Sequence, residues 1–177
     1  MVLNAESVTR YAVSPSESSL RVDARSTLHD IRATGTGLSG FIDAAWNPDG
    51  SLALSSPPAM HVEFPIDHVR SGNSLQDREM LKMVDANRFP KVAADLRTAE
   101  LLSPPNRYAA TGDVTLVGRT RTYRGEFTIA GVGDTLTLDG ELSVDIRDFG
   151  LKPPSLLILK VDPILRVRMR VVARKAV

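Results

Sequence analysis

The chain is 177 residues long, with 22 Lys and Arg against 21 Asp and Glu, a formal net charge of +1 and no cysteine. So even a balance leaves no cationic surplus to neutralise a phosphate backbone, which argues against a nucleic-acid partner. The missing thiols exclude disulfides, thiolate nucleophiles and zinc–thiolate centres together, so the fold must rest on burial alone.

Hydrophobic residues make up 42% and charged residues 24% of the chain, the balance of a globular protein, and the length suits one domain. Residues 1–7 show no basic segment followed by an apolar one. The expectation is therefore no leader peptide and a cytoplasmic location, or an exported one if a leader has been removed. The longest apolar stretch, residues 156–159, is far short of the ~18 needed to span a bilayer.

Strand signals dominate from the start. Residues 20–24 alternate apolar and polar, the period of a half-buried strand. Residues 35–40 match G-x-G-x-x-G, but a dinucleotide site needs a strand before that motif and a helix after it. Residues 41–46 read as a strand and the turn Asn47-Pro-Asp-Gly50 ends it, so the cofactor reading is refused. Residues 60–64 alternate again. Residues 74–87 differ, with Leu75, Met80, Leu81 and Val84 forming a helical stripe, Ser74 as the expected cap and Asp77 in a capping-box position. Phe89-Pro90 stops that helix. Strands follow at 108–116 and 136–144, with turns at 103–106, 117–120 and 131–134. Gly140 inside the 136–144 run signals a bulge or a close approach. Residues 161–172 alternate most strictly, with Arg166, Arg168 and Arg170 on one face and Leu165, Val167, Met169 and Val171 on the other. The arginine ladder reads as a solvated outer face, with attraction to an anionic lipid surface as the functional alternative.

Eight to ten such strands predict an all-β fold, an antiparallel sandwich or barrel, with one short helix over 74–87. Alternation alone assigns the inward face to Leu20, Val22, Phe41, Met60, Val62, Phe64, Leu96, Val114, Leu116, Phe127, Leu142, Val144, Val167 and Met169. No cofactor motif and no metal-ligand spacing stands out. His29 and His61 could converge with Asp30 on a metal, but a solvent-facing or capping role is the simpler reading.

Four stretches resemble the YceI-like family in chain order: residues 20–40 with Ser26-Thr-Leu-His-Asp30, residues 73–90 with Asp85-Ala-Asn-Arg-Phe-Pro90, residues 108–120, and Val144-Asp-Ile-Arg-Asp-Phe-Gly150. The resemblance runs from about residue 10 to 173. It implies an elongated antiparallel barrel of about eight strands, lipocalin-like, holding a polyisoprenoid or similar long-chain lipid in its pore for storage or transport. It implies a carrier rather than an enzyme. The inward residues would then contact the chain, and Arg78, Lys82 and Arg147 are the candidates for its polar head. A homodimer is a further expectation of the resemblance, and peripheral membrane contact goes with the lipid-surface reading of the arginine ladder. Apolar burial of a dozen methylenes would release roughly 10 kcal/mol before association costs. The rival readings are a barrel filled by its own side chains, and a small hydrolase or isomerase using His29 with Asp30.

Overall fold

The computed structural model describes residues 7–153, 155, 156 and 159–177, with the side chains of 155, 156 and 159 left out. Residues 1–6 of the 1–7 segment read for a leader, and residues 157 and 158 of the 156–159 run, lie outside the described residues. Eleven strands form: β1 (Thr9–Val13), β2 (Ser19–Ser26), β3 (Ile31–Gly35), β4 (Ser39–Ala44), β5 (Ala59–Pro65), β6 (Lys91–Ser103), β7 (Arg107–Leu116), β8 (Arg119–Val132), β9 (Thr135–Asp145), β10 (Ser155–Leu156) and β11 (Leu159–Lys175). One α-helix among the described residues, α1 (Ser74–Met83), lies between β5 and β6. No helix among the described residues is long and apolar enough to cross a membrane.

The strands run in the order β1-β4-β5-β6-β7-β8-β9-β11, and β11 pairs back onto β1. Eight antiparallel strands thus close a barrel, as the resemblance implies, where alternation alone leaves a sandwich open. Closure is possible because β11 is long. Its C-terminal part pairs with β1 (Val13 opposite Ala173) and its N-terminal part with β2 (Leu20 opposite Met169). The β2–β3 hairpin therefore continues the wall beyond β1 and β4, and no edge of the eight-stranded ring is left open along its closed part.

The two ends differ. At one end Trp46 and the loop after it cap the barrel. The indole Nε1 donates to Tyr11 Oη at 3.0 Å, and the backbone N–H of Leu52 donates to Tyr108 Oη at 2.8 Å. Tyr108 stacks on Phe127 with ring centroids 5.2 Å apart. Tyr11, Ile42, Ala44, Ile129, Leu136, Leu138, Val171 and Ala173 around them are all buried. At the other end, the mouth, the inward residues Val22, Phe64, Leu116, Leu142 and Val167 are only half buried. α1 lies at this end and has no fully buried residue, although Met80, Leu81 and Met83 pack against the core.

Three sequence readings are corrected here. Helix α1 ends at Met83 rather than at 87, because Asp85 turns into the left-handed region at φ 50° and Ala86 N–H closes back onto the Leu81 carbonyl at 3.0 Å. The cap is Asn73, whose side chain accepts from the N–H groups of Leu75 and Gln76, while Asp77 accepts from Ser71 N–H instead of completing a capping box. Leu75, expected on the packed stripe, is exposed. The G-x-G-x-x-G run joins β3 to β4 with no helix after it, and Gly37 and Gly40 both sit at positive φ. The 117–120 hairpin forms as expected. Val117 and Gly118 both adopt positive φ, the geometry of a tight two-residue hairpin turn, and a Cβ on Gly118 would come within 2.8 Å of the Phe89 ring.

Candidate functional site

Neighbouring strands place Met60 and Leu96, Val114 and Gly112, Phe127 and Gly140, and Leu142 and Met169 on the inner face of the wall. They enclose a void of about 90 Å³ in the middle of the barrel, with almost entirely apolar walls. Glycines form part of its wall. Gly112, Gly125 and Gly140 all border it. A Cβ on Gly112 would lie 2.8 Å from the Asp95 carbonyl oxygen, and one on Gly125 2.7 Å from that of Glu141, so these two positions admit only glycine. Gly140 is different: a Cβ there meets nothing nearer than Leu138 Cδ2 at 3.5 Å, and β9 carries no bulge at it. Its glycine leaves room without being forced by the backbone.

Of the fourteen residues assigned inward, Met60, Leu96, Val114, Phe127, Leu142 and Met169 border the void. Leu20, Val22, Val62, Phe64, Leu116, Val144 and Val167 face inward above or below it. Phe41 is a correction. It pairs across the sheet with Ala12 and His61, on the outer face, where the Arg10 guanidinium lies 3.9 Å from its ring centroid. Both Phe41 and Ile42 are apolar, and the pairing of Ile42 with Tyr11 and Met60 decides that Ile42 points in.

The head-group candidates separate. Arg78 and Lys82 lie exposed on α1, Lys82 being 3.4 Å from Glu79. Arg147 forks onto Asp145, with Nη2 donating at 2.8 Å and Nε at 3.0 Å. Sequence reading missed Tyr123. Its ring borders the void and stacks against Phe149, and its hydroxyl donates to Asp148 Oδ2 at 2.7 Å. Burial, and then the bond to Asp148, push the phenol well above its ordinary range, so it stays protonated.

A larger depression of about 560 Å³ lies on the outer wall across β2, β9 and β11. Its rim carries Arg168 and Arg170 of the arginine ladder, which is not free charge: Arg168 lies 3.7 Å from Glu141, the carboxylate to which Arg166 donates at 2.6 Å, and Arg170 3.4 Å from Asp139. A hydrocarbon laid there would keep one side in water and strip solvent from these ion pairs, so the smaller inner void is the better apolar site.

The histidines do not converge. His29 and Asp30 are exposed on the β2–β3 turn, against the expectation of a buried pair for a hydrolase. No cluster of metal-binding side chains occurs among the described residues. His61 sits on the outer wall, with Nδ1 2.6 Å from Asp95 and Nε2 3.5 Å from Glu63. The bond to Asp95 raises its pKa above the ordinary 6.5 against a smaller opposing effect of burial. The imidazolium is the form stabilised by folding, so this contribution is full below about pH 6.5 and is lost as pH rises through the folded pKa. An NMR titration should place the His61 midpoint above 6.5, and His61→Gln should flatten the stability profile above about pH 6.5. A midpoint at or below 6.5 would show that the pairing is absent in solution.

Solved structures share this architecture. BcnA of Burkholderia cenocepacia aligns with a TM-score of 0.73 at 16% identity, over 91% of this chain and 99% of its own. A polyisoprenoid binding domain from Saccharophagus degradans implicated in plant cell wall breakdown aligns at 0.71 with 11% identity, covering 94% and 98%. The YCEI protein of Campylobacter jejuni aligns at 0.68 with 14% identity, covering 85% and 88%. At these identities the likeness concerns the fold. No curated relative matches the chain. The sequence profile of the YceI-like domain, however, matches residues 11–173, nearly the whole barrel from β1 to the end of β11, and on that match the chain belongs to the YceI-like family.

Proposed function

We propose that the protein binds a long-chain apolar lipid, of polyisoprenoid type, inside the barrel, and carries or stores it without catalysing a reaction. The observation that carries this reading is the apolar void at the barrel centre, bounded by Met60, Leu96, Leu142 and Met169. Family membership and the polyisoprenoid binding of the Saccharophagus degradans domain support it.

The void in its present state is small. At about 90 Å³ it is below the roughly 150 Å³ that admits a benzene ring and well below the ~300–1,000 Å³ of ordinary ligand sites. A chain therefore enters only if side chains swing aside. Met60 and Met169 suit that role, since an unbranched thioether with three free torsions repacks at low cost. The half-buried mouth residues Val22, Phe64, Leu116 and Val167 offer the path in. Binding then rests on the transfer of methylenes out of water, on the order of 0.8 kcal/mol each, and needs no specific polar contact in the tube.

Titration calorimetry with a prenyl alcohol tests this. Burial of apolar surface predicts saturation at one chain per barrel with a clearly negative heat-capacity change. Heats that reflect dilution alone at all temperatures would contradict it and leave the filled-barrel reading.

A further inference from the structure

We infer that the barrel measures its ligand: it takes about four prenyl units, and Tyr108 and Phe127 form the floor that stops the chain there. The inference rests on the lipid-binding reading and deepens it to a class of chain length. The tube is shut at one end. Tyr108 is buried, stacks on Phe127 and accepts the N–H of Leu52, which belongs to the loop covering the barrel. Leu52, Phe127, Ile129 and Leu138 border the void from this side, and all four are buried. The loop behind them is tied down, with Trp46 Nε1 donating to Tyr11 Oη at 3.0 Å and Asn47 Nδ2 to the Leu52 carbonyl at 3.2 Å. The thioethers of Met60 and Met169 yield to an entering chain, whereas an aromatic pair packed against a covered end does not.

The distance from floor to mouth follows from the strands. On β7 the inward positions after Tyr108 are Ala110, Gly112, Val114 and Leu116, the last of them beside the turn at the mouth. Each step between inward positions is two residues, about 7 Å of strand, and a tilt of ~40° leaves roughly 5 Å of it along the barrel axis. With C–C bonds of ~1.5 Å, the four main-chain bonds of an extended prenyl unit also span about 5 Å. One step therefore matches one prenyl unit, and the steps from Tyr108 to Leu116 match about twenty carbons. The level just above the floor is built small, with Ala110 between Ala99 on β6 and Gly125 on β8. Ala110 and Gly125 both border the void. The branched end of a chain fits there, over the Tyr108–Phe127 pair, where larger side chains would fill the tube. A fifth unit finds the floor occupied and stays outside the mouth, in water, where it adds no burial.

The test offers the full chain an equimolar mixture of geraniol, farnesol, geranylgeraniol and geranylfarnesol, with the bound masses read by native mass spectrometry. Occupancy should rise about tenfold or more with each unit up to geranylgeraniol, and by less than about twofold from there to geranylfarnesol. Ala110→Leu stacks its added carbons on the floor. It should move the break down by one unit, so that farnesol and geranylgeraniol are held alike. Ala110→Val, with fewer added carbons, takes its place if a thermal melt shows the leucine variant unfolded. A wild-type break at any other length, occupancy that keeps rising about tenfold beyond geranylgeraniol, or a break that does not move in a folded Ala110 variant overturns the inference while the carrier reading stands. Binding of none of the alcohols by the wild type overturns the carrier reading, and this inference with it.

Discussion

Gly140→Val should weaken lipid binding about a hundredfold in a protein that remains folded. Position 140 faces Phe127 on one side and Met169 on the other, at the wall of the central void. A Cβ there meets only ordinary contacts, the nearest at 3.5 Å, so the backbone need not shift. The three added carbons project into the space a chain would use. Losing contact with about four methylenes costs roughly 3 kcal/mol, a fall in affinity of about a hundredfold. Stability should be unchanged or slightly improved, because glycine in a strand interior costs about 0.5–1 kcal/mol and a β-branched side chain suits the pleat. Calorimetric titration and a thermal melt check both halves. Full binding by a folded Gly140→Val protein would place the ligand outside the void.

The second large effect is on stability, at the capped end. Tyr108 is 1% exposed, stacks on Phe127 and accepts the Leu52 N–H. Tyr108→Ala removes a large buried ring and leaves that donor without its partner. Cavity formation costs about 3–5 kcal/mol and the orphaned N–H another 1–3. A loss near 5 kcal/mol is a large share of the ~5–15 kcal/mol that holds a typical domain together. Tyr108→Phe isolates the hydrogen bond and should cost about 1–2 kcal/mol. Urea denaturation midpoints measure both. A loss below about 2 kcal/mol for the alanine variant would show that the capped end is not close-packed.

The strands with the strictest alternation, β7, β9 and β11, were legible in the sequence because one side of each faces the core and the other faces water. β1 and β3 were not, being five residues each and too short to show a period. Phe41 was placed on the wrong face because apolar residues occur on both sides of β4. The cross-strand register, which sequence does not display, decides between Phe41 and Ile42. The end of α1 depended on a left-handed Asp85, a conformation an aspartate tolerates but does not announce.

The candidate site was read less well than the wall around it. A pattern of apolar residues marks where side chains are, whereas part of the void exists where Gly140 lacks one. Tyr123 was missed for a different reason. Residues 119–126 carry charged or polar groups on nearly every position, so alternation gives no sign of which face is inside. Only the pairing with Gly112 turns Tyr123 inward.

Native mass spectrometry of the purified protein, before and after incubation with a long prenyl alcohol, tests the central claim most directly. Apolar burial in the barrel predicts a single bound chain, either carried through purification or taken up on incubation, released by organic solvent and held about a hundredfold more weakly by Gly140→Val. A bare protein at every stage, with no uptake by the wild type, would contradict it and show that the barrel is filled by its own side chains.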